Sequence, residues 1–188
     1  MRIISGIFRG KKILEPKDIK TRPLKDLTKE SIFNILNHSN KFKINLENTD
    51  ILDLYSGVGS FGIECLSRGV KSVIFIENYN GVLPVLKKNL QNLKAIENYK
   101  IIEKDINNGK IFENLDKKFD IVFMDPPYKD KNLNLLLENL ENIKILNKNG
   151  IVVIHRHKNE QDMIPKNFKV IEEKNYGLSK IIFLSLLN

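Results

Sequence analysis

Four acidic residues occur at or just after the ends of short apolar segments that alternate with helical segments. Asp53 lies near the end of "DILDLY", Glu77 ends "KSVIFIE", Asp105 follows "YKIIEK" and Asp125 ends "FDIVFMD". In open α/β sheets, ligands bind beyond the carboxyl ends of the strands. The spacing therefore predicts a negatively charged crevice in a chain whose formal net charge is +8.

The first of these acids precedes a glycine-rich turn. The segment "DLYSGVGSFG" contains Gly57, Gly59 and Gly62, which match the GxGxxG fingerprint of a dinucleotide-binding turn. A pyrophosphate there would lie close to Asp53, and two like charges about 5 Å apart repel by roughly 3 kcal/mol at an effective dielectric near 20. S-adenosylmethionine (SAM) instead has a sulfonium and an ammonium group and no phosphate. The acids therefore favour SAM over NAD(P) as the cofactor.

The next two acids are candidates for the other parts of such a cofactor. Glu77 follows the glycines at about the distance expected of a residue that binds ribose hydroxyls. Asp105 is predicted to accept a hydrogen bond from the adenine amino group. An alternative role for Asp105 is to cap the short helix predicted in "INNGKIF".

The segment "FDIVFMDPPYKD" places two prolines directly after a buried strand. Proline has no backbone N–H, so these residues leave carbonyl oxygens without competing donors beside them. The Asp125 carboxylate and the Pro126 carbonyl oxygen are predicted to accept the two N–H bonds of an exocyclic nucleobase amine, and Tyr128 to stack on the base. Positioning and electrostatic preorganisation would then supply the catalysis. The predicted catalytic residues are Asp125, Pro126, Pro127 and Tyr128.

Basic residues are concentrated at the N-terminus, where residues 1–25 contain eight cations and two acids. This asymmetry favours a polyanionic partner, and nucleic acid more than a membrane surface. A solvated basic tail is the alternative. The predicted RNA contacts are Arg2, Arg9, Lys11, Lys12 and Arg22.

Composition argues against several other kinds of site. The chain has one cysteine, Cys65, so neither a disulfide framework nor a cysteine-based zinc site is expected. His38, His155 and His157 lack metal-ligand spacing, and "HRH" is expected to be a solvated strand end rather than part of the crevice. No apolar run approaches the roughly 20 residues of a membrane span, and the N-terminus lacks the apolar core of a secretory signal. We therefore expect a cytoplasmic protein that contacts no membrane and binds no metal.

Strands and helices alternate along most of the chain, which predicts a parallel sheet with helices on both faces. The fifth strand is "GIVVIHR", and "FKVIEEKNYGLSKIIFLSLL" predicts two more strands joined at Gly177. That link is too short for a crossover, so the last strand should be antiparallel. Upstream, "RIISGIFRGKKIL" predicts a hairpin and "KESIFNILNHS" a helix. We predict an α/β fold with a mostly parallel seven-stranded sheet, comprising a basic RNA-binding extension (1–48) and a catalytic domain (49–188).

The segments "LDLYSGVGSFGIECLSRG", "IE" at 76–77 and "FDIVFMDPPY" resemble the amino-methyltransferases of the SAM-dependent Rossmann-like superfamily. "MRIISGIFRGKKIL" and "TRPLKDLTKESIFNIL" are similar to the bacterial 16S rRNA guanine-N2 methyltransferase family, whose target is the guanine at position 966. The resemblance covers nearly the whole chain and includes the closing "NYGLSKIIFL". The chain departs from the family pattern at Leu24, Lys29, Tyr79 and His155.

The resemblance implies a class I SAM-methyltransferase fold with SAM as the cofactor. It also implies a monomer that acts on small-subunit ribosomal RNA within an assembling 30S particle. The cofactor-binding residues that it implies are Asp53, Tyr55, Ser56, Gly57, Gly59, Gly62, Glu77, Asn78, Asp105 and Ile106.

Three other functions are compatible with parts of the sequence. DNA or RNA adenine-N6 methyltransferases share the DPPY motif, although a DNA enzyme normally needs an additional recognition segment. An NAD(P)-dependent oxidoreductase would use the glycine turn, but Asp53 and the lack of a second catalytic domain argue against it. A non-catalytic RNA-binding module would have no use for the acids or for the DPPY motif.

Overall fold

One mixed sheet lies at the centre of the molecule. The computed structural model describes residues 1–16, 24–42, 44–94, 96–108, 110–113, 115–127 and 130–187. Within these ranges, seven strands pair in the order β3-β2-β1-β4-β5-β7-β6. The strands are β1 (Asp50–Leu54), β2 (Ser72–Ile76), β3 (Tyr99–Ile102), β4 (Phe119–Met124), β5 (Leu146–His157), β6 (Phe168–Tyr176) and β7 (Ser179–Leu186).

The last strand of the chain runs in the opposite direction to its neighbours. β1 to β5 pair in parallel with one another, whereas β7 is antiparallel to both β5 and β6. The predicted α/β fold and its antiparallel last strand are therefore confirmed. The carboxyl ends of β1 to β5 all lie at the same end of the sheet, which we call the carboxyl edge.

Helices cover both faces of the sheet, as the alternating pattern predicts. α1, α2 and α3 pack on one face, and α4 and α5 pack on the other. Ile51 of β1 belongs to the first core cluster and Leu52 to the second, so the central strands are buried on both sides. The helices are α1 (Asp26–His38), α2 (Ser60–Ser67), α3 (Leu83–Gln91), α4 (Lys110–Glu113) and α5 (Leu133–Asn142), with a short 3-10 helix at Leu46–Asn48.

Residues 1–16, which we call the arm, fold back on themselves and pack against α2. Arg2 and Lys12 form an antiparallel bridge, so the predicted hairpin is present in a minimal form. Gly6 has a φ angle of 83°, and a Cβ atom at this position would lie 1.8 Å from the Ser67 carbonyl oxygen. Only glycine permits so close an approach of the arm to α2.

Two buried polar side chains anchor the backbone of the arm. Glu64 of α2 accepts hydrogen bonds from the amides of Ile4 and Ser5, at 2.8 and 2.9 Å. Asn89 of α3 accepts from the Leu14 amide at 2.8 Å and donates to the Leu14 carbonyl oxygen at 3.1 Å. Because these bonds satisfy backbone groups from buried positions, they fix the path of the arm over the helices.

The extension and the sheet share a hydrophobic core. Ile3 and Ile13 of the arm lie in the same cluster as Ile51. Phe33 of α1 stacks on Phe61 of α2 with ring centroids 5.3 Å apart. The predicted boundary between the extension (1–48) and the catalytic domain (49–188) stays a prediction, since a shared core does not show where one segment ends and the other begins.

Candidate active site

Asp53 lies near the end of β1, close to the start of α2. It is 1% exposed, and its Oδ2 accepts a hydrogen bond from Gly62 N at 3.0 Å. Among the described residues, its buried Oδ1 has no hydrogen-bond partner. Burial raises the pKa of Asp53 well above its ordinary value; the Gly62 amide opposes this rise, and the Asp125 and Glu77 carboxylates add to it. A cation beside Oδ1 would therefore be strongly favoured.

The turn after β1 brings α2 very close to the sheet. A Cβ atom at Gly62 would lie 2.3 Å from the ring of Phe75 and 2.9 Å from Asp53 Oδ2. Asn89, which also holds the arm, donates to the Val58 carbonyl oxygen at 3.1 Å. The absence of a side chain at position 62 thus allows the hydrogen bond to Asp53, and Asn89 ties the turn to the arm.

Glu77 follows β2 and binds three backbone amides. Its Oε2 accepts from Gly57 N at 2.8 Å, and its Oε1 accepts from Asn78 N and Tyr79 N, both at 2.9 Å. A carboxylate offers about four acceptor positions, so these bonds leave about one, on Oε2. Glu77 therefore organises the glycine turn and the segment after β2, and its role as a ribose ligand stays a prediction.

The remaining predicted cofactor residues lie along the same edge. Asp105 is exposed, and its Oδ1 accepts from the backbone N and side-chain Nδ2 of Asn107, at 2.9 and 3.1 Å. These bonds shape a turn, and α4 begins only at Lys110, so Asp105 does not cap that helix. Asn78 is exposed, while Ile106 is buried in the second core cluster. An adenine contact by Asp105 stays a prediction.

Tyr55 and Ser56 use their hydroxyl groups inside the protein. The Tyr55 hydroxyl donates to Asp130 Oδ2 at 3.1 Å, and burial followed by the Asp130 carboxylate raises the pKa of Tyr55. Tyr55 also has a φ angle of 56°, a conformation that a non-glycine residue rarely adopts and that is often found at functional sites. Ser56 Oγ donates to the Asp53 carbonyl oxygen at 2.6 Å. Both residues therefore fix the backbone at the end of β1.

Asp125 follows β4 and is held by a histidine. Its side chain is 20% exposed, and its Oδ1 lies 2.8 Å from His155 Nδ1 on β5. His155 Nε2 lies 2.9 Å from Ser179 Oγ on β7. Pro126 is buried and Pro127 exposed, whereas Tyr128 lies outside the described residues. The catalytic assignment of this segment stays a prediction.

Arg156 binds the backbone of Pro127 and of Asp130, the described residues on either side of positions 128 and 129. Its Nη1 donates to the Pro127 carbonyl oxygen at 3.1 Å, and its Nη2 donates to the Asp130 carbonyl oxygen at 3.0 Å. Its Nε and Nη2 bind the carboxylate of Asp162, at 2.9 and 2.7 Å. Because the guanidinium is planar and multiply bonded, it fixes Pro127 and Asp130 relative to each other.

The expectation that "HRH" is a solvated strand end is wrong for two of its three residues. His155 is 5% exposed and Arg156 is 1% exposed. Met124 pairs with Ile154 in the parallel register of β4 and β5, so the next residue on each strand, Asp125 and His155, must lie side by side. Arg156 was not predicted from the sequence as a site residue. The same register places it one position beyond His155, beside the residues that follow Asp125.

The predicted RNA-binding cations are displayed on the outside of the arm. The described ones are all exposed: Arg2, Arg9, Lys11 and Lys12. Lys11 Nζ lies 4.6 Å from the centroid of the Phe8 ring. Arg22 lies outside the described residues. The backbone of the arm is fixed by α2 and α3, so these side chains project from an ordered surface.

Comparison with known proteins shows to which protein family the chain belongs. The family described as conserved hypothetical protein 95 matches residues 1–185. The chain belongs to this family. Ribosomal RNA small subunit methyltransferase D of Haemophilus influenzae is 32% identical over 183 residues, which cover 95% of this chain and 90% of that protein. The protein of the same name from Escherichia coli K12 is 32% identical over 187 residues, covering 94% and 85%.

Two solved structures show the same fold in this methyltransferase family. The structure of yhhF from Escherichia coli superposes with a TM-score of 0.82 at 27% identity, covering 99% of this chain and 97% of that one. The structure of HI0767 from Haemophilus influenzae has a TM-score of 0.75 at 29% identity, covering 100% and 98%. The predicted class I SAM-methyltransferase fold is therefore confirmed.

SAM is the cofactor of this family, and the carboxyl edge of the sheet fits it. Asp53, Glu77 and Asp125 lie close enough together that both of the others raise the pKa of Asp53. The buried Oδ1 of Asp53 is suited to a cationic group such as the ammonium or sulfonium of SAM. A cofactor with a pyrophosphate would add negative charge to an edge that already holds these three carboxylates.

Two further features of the described residues bear on ligands and location. No group of three or more His, Cys, Asp or Glu side chains in these ranges could hold a metal ion. None of the helices in the described part of the chain is both long enough and apolar enough to cross a bilayer.

Proposed function

We propose that this methyltransferase transfers a methyl group from SAM to the exocyclic N2 of a guanine in small-subunit 16S ribosomal RNA. The guanine at position 966, the target implied by the resemblance, is the proposed site. The observation that carries the proposal is the placement of Asp125. Its carboxylate is held through Oδ1 at the carboxyl edge, next to the acids suited to SAM, and is followed by two prolines. The names of the relatives support ribosomal RNA as the substrate.

The amine of guanine is a poor nucleophile because its lone pair is delocalised into the ring. Asp125 Oδ2 and the Pro126 carbonyl oxygen would accept its two N–H bonds and favour localisation of that pair. Bound SAM supplies an electrophilic methyl group whose bonding electrons remain on sulfur. The amine nitrogen forms the new bond to carbon and then loses one proton to Asp125 or to water. Tyr128 is proposed to stack on the base, which holds the amine in line with the methyl group.

The arm is proposed to contact RNA phosphates. Arg2, Arg9, Lys11 and Lys12 are exposed on a backbone that Glu64 fixes to α2. Arg22 is proposed as a further contact. The Asn89 side chain binds both the arm and the glycine turn. It would therefore connect the segment that contacts RNA to the turn that contacts the cofactor.

The substrate is proposed to be folded RNA within the assembling small subunit, bound by a monomer. The target guanine must leave its stack to reach Asp125, which costs a few kcal/mol. The described residues form one sheet and an arm that shares its core, and none of these elements is a separate recognition domain. The shape of the RNA or of the particle would therefore have to present the base.

Mass mapping of modified nucleosides in small-subunit RNA tests this function. RNA from cells that lack this protein should have lost one N2-methylguanine, and the wild-type gene should restore it. The Asp125→Ala variant should not restore it. N6-methyladenine as the lost modification, or N6-methyladenine lost from DNA, would instead establish the adenine enzyme. Restoration by Asp125→Ala would support a non-catalytic RNA-binding role.

Calorimetric titration separates SAM from NAD(P) with purified protein. We expect SAM to bind and NAD and NADP not to bind. Methylation rates on isolated small subunits and on short naked RNA oligomers then test the proposed substrate. Equal rates on the two would contradict the dependence on folded RNA.

A further inference from the structure

A continuous hydrogen-bonded chain runs from Asp125 through His155 to Ser179. The two distances are 2.8 Å, from Asp125 Oδ1 to His155 Nδ1, and 2.9 Å, from His155 Nε2 to Ser179 Oγ. The three residues come from the end of β4, from β5 and from β7. The imidazole ring is therefore held at both nitrogens while it is buried between the strands.

This arrangement holds the ring in either protonation state. A neutral ring donates from Nδ1–H to Asp125 and accepts at Nε2 from the Ser179 hydroxyl. A protonated ring donates at both nitrogens, because a serine hydroxyl also accepts. The ring therefore keeps its orientation over a wide pH range, and the orientation of Asp125 is kept with it.

The bond to His155 occupies one of the two carboxylate oxygens of Asp125. The side chain of Asp125 is still 20% exposed, so the other oxygen, Oδ2, can face the crevice at the carboxyl edge. We propose that His155 is a positioning residue, held by Ser179, that presents Asp125 Oδ2 to the N–H of the target amine. The proposal rests on the function proposed above, because the amine is the group that Oδ2 would receive.

His155 also sets how strongly Asp125 accepts a hydrogen bond. The ring contacts Asp125 after β4 and the Ser179 hydroxyl on β7, it pairs across the strands with the apolar Ile181, and the charged Arg156 is its neighbour along β5. Burial lowers the pKa of His155, the Asp125 carboxylate raises it, and Arg156 lowers it, with a net rise above 6.5. A protonated ring partly neutralises Asp125, so methyl transfer should speed up as pH rises through the pKa of His155.

Single-turnover methylation of small-subunit RNA by three variants tests the proposal. Asn Nδ2 stands as many bonds from Cα as His Nδ1, so His155→Asn keeps a donor for Asp125. His155→Ala and His155→Gln do not keep a donor at that position. We expect His155→Ala and His155→Gln to lose about 10- to 100-fold in rate with unchanged KM for RNA, and His155→Asn to retain most of the rate.

The pH profile and a matched control separate positioning from general damage to the fold. The wild-type rate should rise through an inflection above pH 6.5, and the His155→Asn profile should lack it. His38→Asn, the same substitution at an exposed residue of α1, should leave both rate and profile unchanged. Thermal melting should show that all variants are folded.

NMR titration of the His155 ring gives a readout that does not depend on the RNA. Asp125→Asn should lower the pKa of His155 relative to the wild type, because it removes the carboxylate charge. Two results would overturn the positioning role alone. One is a His155→Ala variant that is as active as an active wild type, and the other is a pKa of His155 that is the same in Asp125→Asn and in the wild type. If the pKa of His155 differs between the two proteins as expected but the wild type methylates no ribosomal RNA, the proposed function itself is overturned, and the positioning role with it.

Discussion

Lys29 Nζ lies 3.6 Å from Glu64 Oε2, and neither side chain is exposed to solvent. The same ammonium donates to the carbonyl oxygen of Arg2 at 2.7 Å. Glu64 in turn accepts from the amides of Ile4 and Ser5. One buried ion pair therefore joins α1, α2 and the arm, which is the segment proposed to bind RNA.

Removing Glu64 should destabilise the protein strongly. Glu64→Leu leaves the buried Lys29 charge without its closest carboxylate and two amides of the arm without acceptors. A loss of about 3 to 5 kcal/mol in the free energy of unfolding is expected in urea titrations. Burial already lowers the pKa of Lys29, while Glu64 opposes this. In the folded variant, Lys29 would therefore lose its proton at a lower pH than in unfolded chains. The loss in the free energy of unfolding should then shrink as pH rises towards 10.5.

A control for this ion pair is available on the same helix as Lys29. Asp26 Oδ1 lies 3.8 Å from Lys29 Nζ, but its side chain is 35% exposed. Asp26→Asn should cost less than about 1 kcal/mol, because solvent screens a partly exposed pair. A Glu64→Leu variant no less stable than Asp26→Asn would show that the buried pair does not hold the arm.

The sequence predicted the sheet because the signals for it are local. A strand buried on both faces, such as β1, is a continuous apolar segment, and helices between strands require parallel pairing. The acids at the strand ends then had to meet at the carboxyl edge. Asp53 and Asp125 do so, since the Asp125 carboxylate lies close enough to raise the pKa of Asp53.

The side-chain partners of the site could not be predicted in the same way. His155 lies 30 residues from Asp125 and 24 from Ser179, so their contact depends on strand register rather than on any local pattern. Glu77 accepts hydrogen bonds from backbone amides of two segments, which its position at a strand end did not indicate, and its contact with the cofactor stays a prediction. A sequence shows that a carboxylate is present but not which of its lone pairs the protein itself uses.

Arg156 should be required for the geometry of the proposed catalytic residues that follow β4. Arg156→Lys keeps the charge but loses the planar fork that reaches Pro127, Asp130 and Asp162 together. A misplaced loop should reduce kcat/KM for RNA about 100-fold, because reacting groups tolerate little displacement. Steady-state methylation assays would measure this loss.

The binding of SAM to Arg156→Lys supplies the control for this loop. The guanidinium contacts the loop after β4 and not the glycine turn, so calorimetry should give a wild-type affinity for SAM. Weakened SAM binding together with a normal rate at saturating SAM would contradict the role of Arg156 in placing the proposed catalytic residues.

Asp53→Asn should make the protein more stable and its binding of the cofactor weaker. The pKa of Asp53 is higher in the folded protein than in unfolded chains. Above about pH 4, where the unfolded carboxyl is ionised, Asp53 therefore lowers the free energy of unfolding. Removing that charge should increase the free energy of unfolding at pH 7 by about 1 to 3 kcal/mol. Stability of the wild type should fall as pH rises from about 4 through the folded pKa, and the variant should lack this slope.

The affinity for SAM tests the other half of that argument. In the Asp53→Asn variant, the amide oxygen would accept from Gly62 N, and the amide N–H₂ group would replace the unpaired Oδ1 and repel a cation. Calorimetry should therefore show weaker SAM binding by this variant. A variant that is less stable than the wild type at pH 7, or that binds SAM equally well, would contradict the role of the buried carboxylate.

Salt dependence provides the sharpest test of the arm. If the four cations of the arm and Arg22 each contact a phosphate, log K for RNA should fall with log salt at a slope of about −3.5 to −4.5. The double variant Arg9→Ala/Lys11→Ala should bind RNA more weakly and reduce that slope by about 1.4 to 1.8, with unchanged SAM affinity. Lys118→Ala removes an exposed cation just before β4, outside the arm, and should leave the slope unaltered. An equal effect of Lys118→Ala would mean that RNA is attracted by net charge alone, and the arm would then have no specific part in binding.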